Sequence, residues 1–343
     1  MAVAWECAAA GLRLLALLSL LSLELAAGAR WSGEGTSPQL RSIFLGRCAE
    51  YITLLSPQLG DRNCTAIWEA FKVVLDKDPC SVLPSDYDLF INLSRHSIPR
   101  DKSLFWENNH LLVTSYSENA RRFMPLCDVL YGRLGDFLSW CRQENASGLD
   151  YQSCPTSEDC ENNAVDSYWK RASMQYSRDS SGVIYVMLNG SESKGAYPIK
   201  GFFADFEIPY LQKDKVTQIE IWVMHDIEGP NVESCGEGSV KILEERLKAM
   251  GFQYRCVNDH HPVKLLMCVD HSAHPDCAMS SFTNMGPEPE ATAAEVPVPL
   301  ATLAAPKAAW THTARRVKAW RVSAPSLPLA SVFISLIVGR SIF

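Results

Sequence analysis

The sequence lacks the short motifs that mark the common nucleotide-binding and hydrolase sites. It contains no G-x-x-x-x-G-K-[ST] phosphate loop, no G-x-G-x-x-G after a strand, no H-E-x-x-H and no G-x-S-x-G. The sequence therefore does not predict a P-loop NTPase, a Rossmann dehydrogenase, a zincin protease or an α/β-hydrolase.

An excess of basic residues is also missing. The chain has 32 Lys and Arg against 39 Asp and Glu, a formal net charge of −7, and no basic cluster lies in the folded region. Proteins that bind nucleic acid present basic patches to the phosphates. Nucleic acid is therefore not predicted as a partner.

A repeated metal-ligand spacing is absent as well. Histidines do gather near the end of the folded region, at His260, His261, His271 and His274. The cysteines around them, such as Cys268-x8-Cys277, have the spacing of disulfides, as does Cys154-x5-Cys160. No metal site is predicted.

Both ends of the 343-residue chain have the composition of processing signals. Residues 12–25 are leucine-rich with Arg13 near their start, and Ala27-Gly28-Ala29 follows, which predicts a secretory signal peptide over 1–29. Residues 281–326 are Ala/Pro-rich and indicate a stalk. The apolar tail 327–343 favours a signal for a glycosylphosphatidylinositol (GPI) anchor on the extracellular face of the plasma membrane. A single tail-anchoring helix is the alternative, for which the run is short.

Cysteines and glycosylation sequons support a secreted location. Of twelve cysteines, Cys7 falls in the signal peptide, and an odd number remains. We expect disulfides with one thiol left over. The acceptor asparagines of the four N-x-[ST] sequons are Asn63, Asn92, Asn145 and Asn189.

Apolar periodicity divides the chain into two halves. Helices are predicted over 39–55, 64–75, 118–141, 166–176 and 240–250, the last with Ser239 as N-cap and Gly251 as its stop. Strands are predicted over 183–188, 216–224, 253–257 and 263–269, while 104–107 only begins a mixed stretch. The fold class is therefore α+β or α/β: a helical N-terminal lobe (about 39–180) packed on a C-terminal lobe (about 181–277) with a mainly parallel, four-stranded sheet, stapled by disulfides. Two lobes around a cleft and one large domain both remain open.

Glu207 is an acidic residue with apolar neighbours in the sequence. It lies between Phe206 and Ile208 and close to Phe202. Burial of a carboxylate is unfavourable unless the group is paired or used. Taken alone, the stretch favours a strand with Glu207 on a solvated face.

Aromatic residues are the other candidates for a site, namely Trp106, Trp169, Phe202 and Trp222. A single tryptophan is more often a core or rim residue. Two of them, however, can clamp a flat cationic heterocycle by stacking and cation–π attraction.

Four longer motifs carry a family resemblance. They are Asp150-Tyr151-Gln152-Ser153-Cys154-Pro155, Tyr168-Trp169-Lys170, Val186-Met187-Leu188-Asn189-Gly190-Ser191 and Ile221-Trp222-Val223-Met224-His225. On these motifs, over about 40–277, the chain resembles the ADP-ribosyl cyclase family, and within it the GPI-anchored branch.

The resemblance implies an activity and a site. The family cleaves the nicotinamide–ribose bond of NAD and forms cyclic ADP-ribose, ADP-ribose or both; NAD is the substrate, so no cofactor is expected. It implies Glu207 as the catalytic glutamate, Trp106 and Trp169 as clamps, and Ser173 as a contact of the reacting ribose. Phe202 is expected to exclude water, and Asp136 to supply a further carboxylate.

The resemblance also implies the disulfide pairs and two departures. The implied disulfides are Cys48–Cys64, Cys80–Cys160, Cys141–Cys154, Cys235–Cys256 and Cys268–Cys277. Cys127 stays free, at a position where some relatives carry a glutamate linked to the balance of cyclisation and hydrolysis. A sixth disulfide of some relatives is missing, because its positions hold Arg100 and Ser181.

Two further expectations concern partners. The resemblance suggests a homodimer. A rival function is a surface receptor or adhesion module with weak catalysis, which would bind protein ligands.

Overall fold

The computed structural model describes residues 30–278 apart from Arg121. All of them belong to one structural unit. The predicted signal peptide (1–29), stalk (281–326) and tail (327–343) lie outside the described residues. Within 30–278, no helix combines the length and the apolar character needed to cross a bilayer.

Helices and strands alternate along the chain. The helices are α1 (Leu40–Glu50), α2 (Cys64–Phe71), α3 (Asp88–Ser94), α4 (His110–Ala120), α5 (Leu130–Arg133), α6 (Ala164–Asp179), α7 (Gly238–Ala249) and α8 (His261–Met267). The strands are β1 (Gly33–Glu34), β2 (Ser103–Glu107), β3 (Met124–Pro125), β4 (Ser153–Cys154), β5 (Gly182–Asn189), β6 (Val216–Met224) and β7 (Tyr254–Asn258). Single turns of π-helix cover Tyr51–Leu55 and Phe203–Glu207.

A parallel sheet organises the fold, with strand order β3-β2-β5-β6-β7. Its register aligns Trp106 with Met187, Met187 with Trp222, and Trp222 with Val257. Because every pair is parallel, the carboxyl ends of the strands meet at one edge. The fold class is confirmed, but the expected four-stranded sheet is a five-stranded one that takes β2 and β3 from the part assigned to the helical lobe.

Three helix and strand predictions are wrong for local reasons. The strand over 263–269 is α8, whose first turn holds Pro262, a position where proline favours a helix. The long helix over 118–141 is broken at Pro125 in β3 and again at Phe137, whose φ is 52°. The N-cap of α7 is Glu237; the Ser239 hydroxyl instead bonds Glu233.

Other predictions hold. Strands β5, β6 and β7 and helices α1, α2, α6 and α7 lie where apolar periodicity placed them, within a few residues. Gly251 follows α7 with φ of 81°, the left-handed conformation that ends many helices.

The disulfide bonds are those that the family resemblance implies. All five pairs are formed: Cys48–Cys64, Cys80–Cys160, Cys141–Cys154, Cys235–Cys256 and Cys268–Cys277. Cys127 is a buried free thiol. Such links restrict the unfolded chain most when they close long loops, as Cys80–Cys160 does with 80 residues.

Two apolar cores lie on opposite faces of the sheet. The larger one contains Ile221 and Val223 of β6, and the smaller one contains Trp222 between them. In the smaller core Trp222 stacks on His260 at 4.0 Å and donates its indole N–H to Glu220. Trp222, one of the candidate site tryptophans, is therefore a core residue.

Candidate active site

The candidate site lies at the carboxyl edge of the sheet, where β2 ends at Glu107. The chain leaves β2 to form β3 on one side and later returns to form β5 on the other. Such a reversal of strand order opens a crevice beyond the carboxyl ends, where ligands bind in parallel sheets. Trp106 and Glu107 are consecutive and point to opposite faces at this edge.

Glu207 occupies the end of a single π-helical turn, Phe203–Glu207, which we call the Glu207 turn. The interpretation of this stretch as a strand with a solvated glutamate is wrong, because Glu207 is only 6 % exposed. Its Oε1 accepts a hydrogen bond of 2.9 Å from Ser173 Oγ. Burial raises the pKa of Glu207 to about 8, the Ser173 bond opposes this rise, and the Glu107 charge adds to it.

Three polar contacts from three different elements hold the Glu207 turn. Ser173 on α6 contacts the carboxylate. Glu107 Oε2 on β2 accepts from the Phe203 amide at 3.4 Å, and Arg246 on α7 donates to the Ala204 carbonyl at 2.8 Å. The turn therefore bears a buried acid in a position fixed from several sides.

Helix α6 brings Trp169 and Ser173 to the same side, since residues four apart share a helix face. The helix starts at Asn163, whose side chain accepts from the Asp166 amide at 2.8 Å. Trp169 is half-buried, packs against the larger core and meets the Tyr168 ring edge-on at 5.1 Å. Trp169 therefore lies one helical turn from Ser173, the residue that contacts the buried Glu207 carboxyl.

Trp106 carries a stack of aromatic rings. The His110 ring lies 4.9 Å from it with an interplanar angle of 13°, and Phe137 stacks on the far side of His110 at 4.7 Å. Trp106 packs against the smaller core, whereas Trp169 packs against the larger one. The two tryptophans therefore approach the edge from opposite faces of the sheet.

Asp136 joins the site through His110. Its Oδ1 lies 3.5 Å from His110 Nε2. Burial raises the pKa of Asp136, while the His110 and Arg47 charges oppose the rise. Asp136 therefore lies beside His110, the ring that stacks on Trp106.

The phenylalanines around Glu207 separate into two groups. Phe203 is fully buried and packs between Phe105 and Tyr197. Phe202 is half-buried and packs on Phe206 at 5.9 Å. Only Phe202 and Phe206 are therefore placed at the rim, and Phe203 belongs to the core.

Sequence reasoning missed Glu107 and His110. The signal for Glu107 was its position directly after Trp106, at the end of a strand that was not recognised. The signal for His110 was weaker, a lone histidine four residues beyond that tryptophan. Burial raises the pKa of Glu107 to about 7, against the opposing effect of the Phe203 amide.

Comparison with known proteins assigns the family. A family profile described as ADP-ribosyl cyclase matches residues 37–277. The chain belongs to the ADP-ribosyl cyclase family. The rat ADP-ribosyl cyclase/cyclic ADP-ribose hydrolase 2 is 85 % identical over 256 residues, which are 75 % of this chain and 80 % of that protein.

Solved structures of ADP-ribosyl cyclases share the fold. Apo porcine CD38 has a TM-score of 0.60 and 32 % identity, over 66 % of this chain and 99 % of the porcine one. The Aplysia cyclase complexed with substrate NGD and product cGDPR has a TM-score of 0.65 and 30 % identity, over 71 % of this chain and 98 % of the Aplysia chain.

The family resemblance implies two departures from some relatives, and the structure shows what lies at each position. Cys127 is buried, its Sγ lies 3.8 Å from Thr114 Oγ1, and burial raises the pKa of its thiol to about 12. It is therefore a neutral side chain at the position where those relatives carry an acid. Where they have a sixth disulfide, a backbone hydrogen bond from the Asp101 amide to the Ser181 carbonyl, 3.0 Å long, joins the same segments.

Proposed function

We propose that this protein is an ectoenzyme that cleaves the nicotinamide–ribose bond of NAD, forms cyclic ADP-ribose and ADP-ribose, and hydrolyses cyclic ADP-ribose. The observation that carries the proposal is the buried Glu207 carboxyl, bonded to Ser173 at the carboxyl edge of the sheet. The enzyme names of its relatives and the NGD complex of the Aplysia cyclase support it.

The chemistry requires one carboxylate rather than two. Nicotinamide is already cationic in NAD and leaves without a proton from a general acid. Positive charge then develops on the ribose in an oxocarbenium-like transition state. Glu207, ionised and placed beneath that sugar, stabilises the charge where it forms, and Ser173 fixes the carboxylate and contacts the ribose.

The aromatic residues bind and fold the dinucleotide. Trp106 and Trp169, on opposite sides of the edge, stack its two flat ends. Attack of adenine on the anomeric carbon gives the cyclic product, and attack of water gives ADP-ribose. Phe202 at the rim limits the entry of water and favours cyclisation. Asp136 acts from behind Trp106, where it holds His110 in the stack.

The substrate assists ionisation of Glu207. Its carboxyl is protonated in much of the free enzyme at neutral pH, because burial raises the pKa to about 8. A cationic ring close to the carboxylate lowers that pKa again. We therefore expect kcat/KM, which reports the free enzyme, to rise up to about pH 8, and kcat to level off at lower pH. NAD is the substrate in this scheme, and no cofactor takes part.

Product analysis with NAD tests the proposal. Glu207→Gln keeps the shape and the Ser173 bond but removes the charge, so nicotinamide release should fall about a thousandfold or more. Glu245→Gln, on the exposed face of α7, is the matched control and should keep wild-type turnover. Near-normal turnover by folded Glu207→Gln protein would exclude Glu207 as the catalytic carboxylate.

A receptor or adhesion role with surface protein ligands is the competing function. The discriminating measurement is the fluorescence of the cyclic product formed from nicotinamide guanine dinucleotide. Folded wild-type protein that gives no signal would favour the receptor.

The location proposal rests on sequence signals. We propose a GPI-anchored, glycosylated homodimer on the extracellular face of the plasma membrane. Asn63, Asn92 and Asn145 are exposed and accessible to glycans, whereas Asn189 is half-buried and accepts from the Ser191 amide at 2.9 Å. We therefore expect Asn189 to carry the lowest glycan occupancy. Release by phosphatidylinositol-specific phospholipase C, glycopeptide mapping and sedimentation test the three parts separately.

A further inference from the structure

A second carboxylate lies beside the catalytic turn, and the NAD cleavage scheme above does not use it. Glu107 ends β2, and its register partner on β5 is Leu188. The residue before it, Trp106, is one of the two clamps, so Glu107 is fixed at the site by the same strand. Its side chain points toward the face of the sheet that carries the Glu207 turn, where it meets the Phe203 amide.

The contacts of Glu107 are directed at that turn. Oε2 accepts from the Phe203 amide at 3.4 Å. Gly201 passes so close that a Cβ atom there would lie 3.4 Å from the same oxygen. The Glu107 charge also acts on Glu207 and on Tyr197. The carboxyl group therefore lies between the strand and the turn and interacts with Glu207 electrostatically.

We propose that Glu107 is a positioning residue for NAD cleavage: it orients the Glu207 turn through the Phe203 amide and holds a second negative charge beside Glu207. The inference rests on the proposed function. Like charges oppose each other's ionisation, so Glu107 keeps the Glu207 proton bound to higher pH in the free enzyme. The two acids then titrate as a pair. A cationic substrate reverses this effect, since a pair of carboxylates attracts the positive charge of the nicotinamide ring and of the ribose.

Other titratable and charged groups face the pair from α6, α7 and the Glu207 turn, and the rest lie behind Trp106 or at the rim. Tyr176 on α6 and Tyr197 before the turn have pKa values raised by burial, so both stay neutral. Arg246 on α7 is bonded to Tyr197 and to the Ala204 carbonyl. Asp205 in the turn is exposed and accepts from the Gly201 amide. His110 and Asp136 lie behind Trp106, and Lys170 lies over Phe206 at the rim.

Two variants separate the roles of Glu107. Glu107→Gln keeps an oxygen that can accept from the Phe203 amide and removes the charge; Glu107→Ala removes both. The acidic limb of kcat/KM against pH should move to lower pH by about half a unit to one unit in both variants. At high pH, kcat should stay within about threefold of wild type in Glu107→Gln and fall about tenfold in Glu107→Ala. Glu245→Gln should reproduce the wild-type profile.

Each outcome has a clear meaning. An unmoved acidic limb in Glu107→Gln overturns the electrostatic role, even where its melting temperature is lower. Equal kcat values at high pH for Glu107→Gln and Glu107→Ala overturn the anchoring role. If the wild type fails to cleave NAD, the proposed function fails instead. The melting temperature measured against pH then still tests the inference. In Glu107→Gln, the stability lost as pH rises comes from ionisation of Glu207. That loss should occur at lower pH than in wild type.

Discussion

Ser173 Oγ donates a hydrogen bond of 2.9 Å to Glu207 Oε1, although the two residues are 34 positions apart in the sequence. The donor comes from the middle of α6, and the acceptor ends a turn that follows β5. Both partners are buried, with Ser173 2 % and Glu207 6 % exposed. A hydrogen bond to a buried carboxylate favours its ionised form, which the proposed chemistry requires.

Replacement of Ser173 by alanine should therefore impair catalysis in a pH-dependent way. Loss of the hydrogen bond raises the pKa of Glu207 further, so the acidic limb of kcat/KM should shift to higher pH and kcat should fall about tenfold. Ser177→Ala is the matched control. Ser177 lies one turn later on α6 and is fully buried, and its hydroxyl lacks a hydrogen-bond partner within the described residues. Equal profiles for the two variants would contradict the assignment.

The stability of the free protein should fall as pH rises from about 5 to about 9. Glu207 and Glu107 have folded-state pKa values of about 8 and about 7, both above the ordinary value of 4.5. A raised folded-state pKa gives stability that is complete below the unfolded pKa and is lost as pH rises through the folded pKa. Melting temperatures against pH check this. Glu207→Gln should flatten the upper part of the curve. An unchanged slope would show that the folded-state pKa of Glu207 is not raised.

The aromatic stack on Trp106 should determine how tightly the site binds NAD. His110→Ala removes the ring between Trp106 and Phe137, so KM for NAD should rise about threefold to tenfold, with a smaller change in kcat. His110→Phe keeps a ring in place and should restore most of the affinity. Tryptophan fluorescence gives an independent readout, because the Trp106 environment changes only in the alanine variant. If His110→Phe fails to restore the affinity, the contact with Asp136, rather than stacking, is what matters.

Cys127→Glu should raise hydrolysis relative to cyclisation, since some relatives carry a glutamate there. The structure adds a stability effect, because the site is only 5 % exposed and lies within electrostatic reach of Asp128 and Asp136. Burial of a third acid should lower the melting temperature on the order of 5 °C. Cys127→Gln separates size from charge. An unchanged ratio of cyclic ADP-ribose to ADP-ribose in a folded glutamate variant would remove this position from the control of products.

Much of the fold followed from local patterns. Strand β5 is a continuous apolar run over 183–188, and β6 ends in one over 221–224, because a parallel sheet is buried on both faces. Helix α6 was predicted from its apolar residues over 166–176, whereas its N-cap, Asn163, was found only in the structure. Strand β2 was not predicted because Ser103–Glu107 is short. The segment 118–141 was predicted as one helix because its apolar residues keep a helical spacing across Pro125 and Phe137. The strand predicted over 263–269 failed since a run of this length suits either structure.

The sequence by itself determined the helix–strand alternation and the set of cysteines. Motif resemblance led to the prediction of Glu207, Ser173 and the two tryptophans as site residues. The tertiary structure decided the state of Glu207, which is buried on a π-helical turn rather than solvated on a strand. It also decided that Glu107 and His110 belong to the site. The physical reason is that burial and charge coupling depend on groups brought together by β2, α6 and the Glu207 turn, which are distant in sequence, and no local pattern records which of them meet at the edge of the sheet.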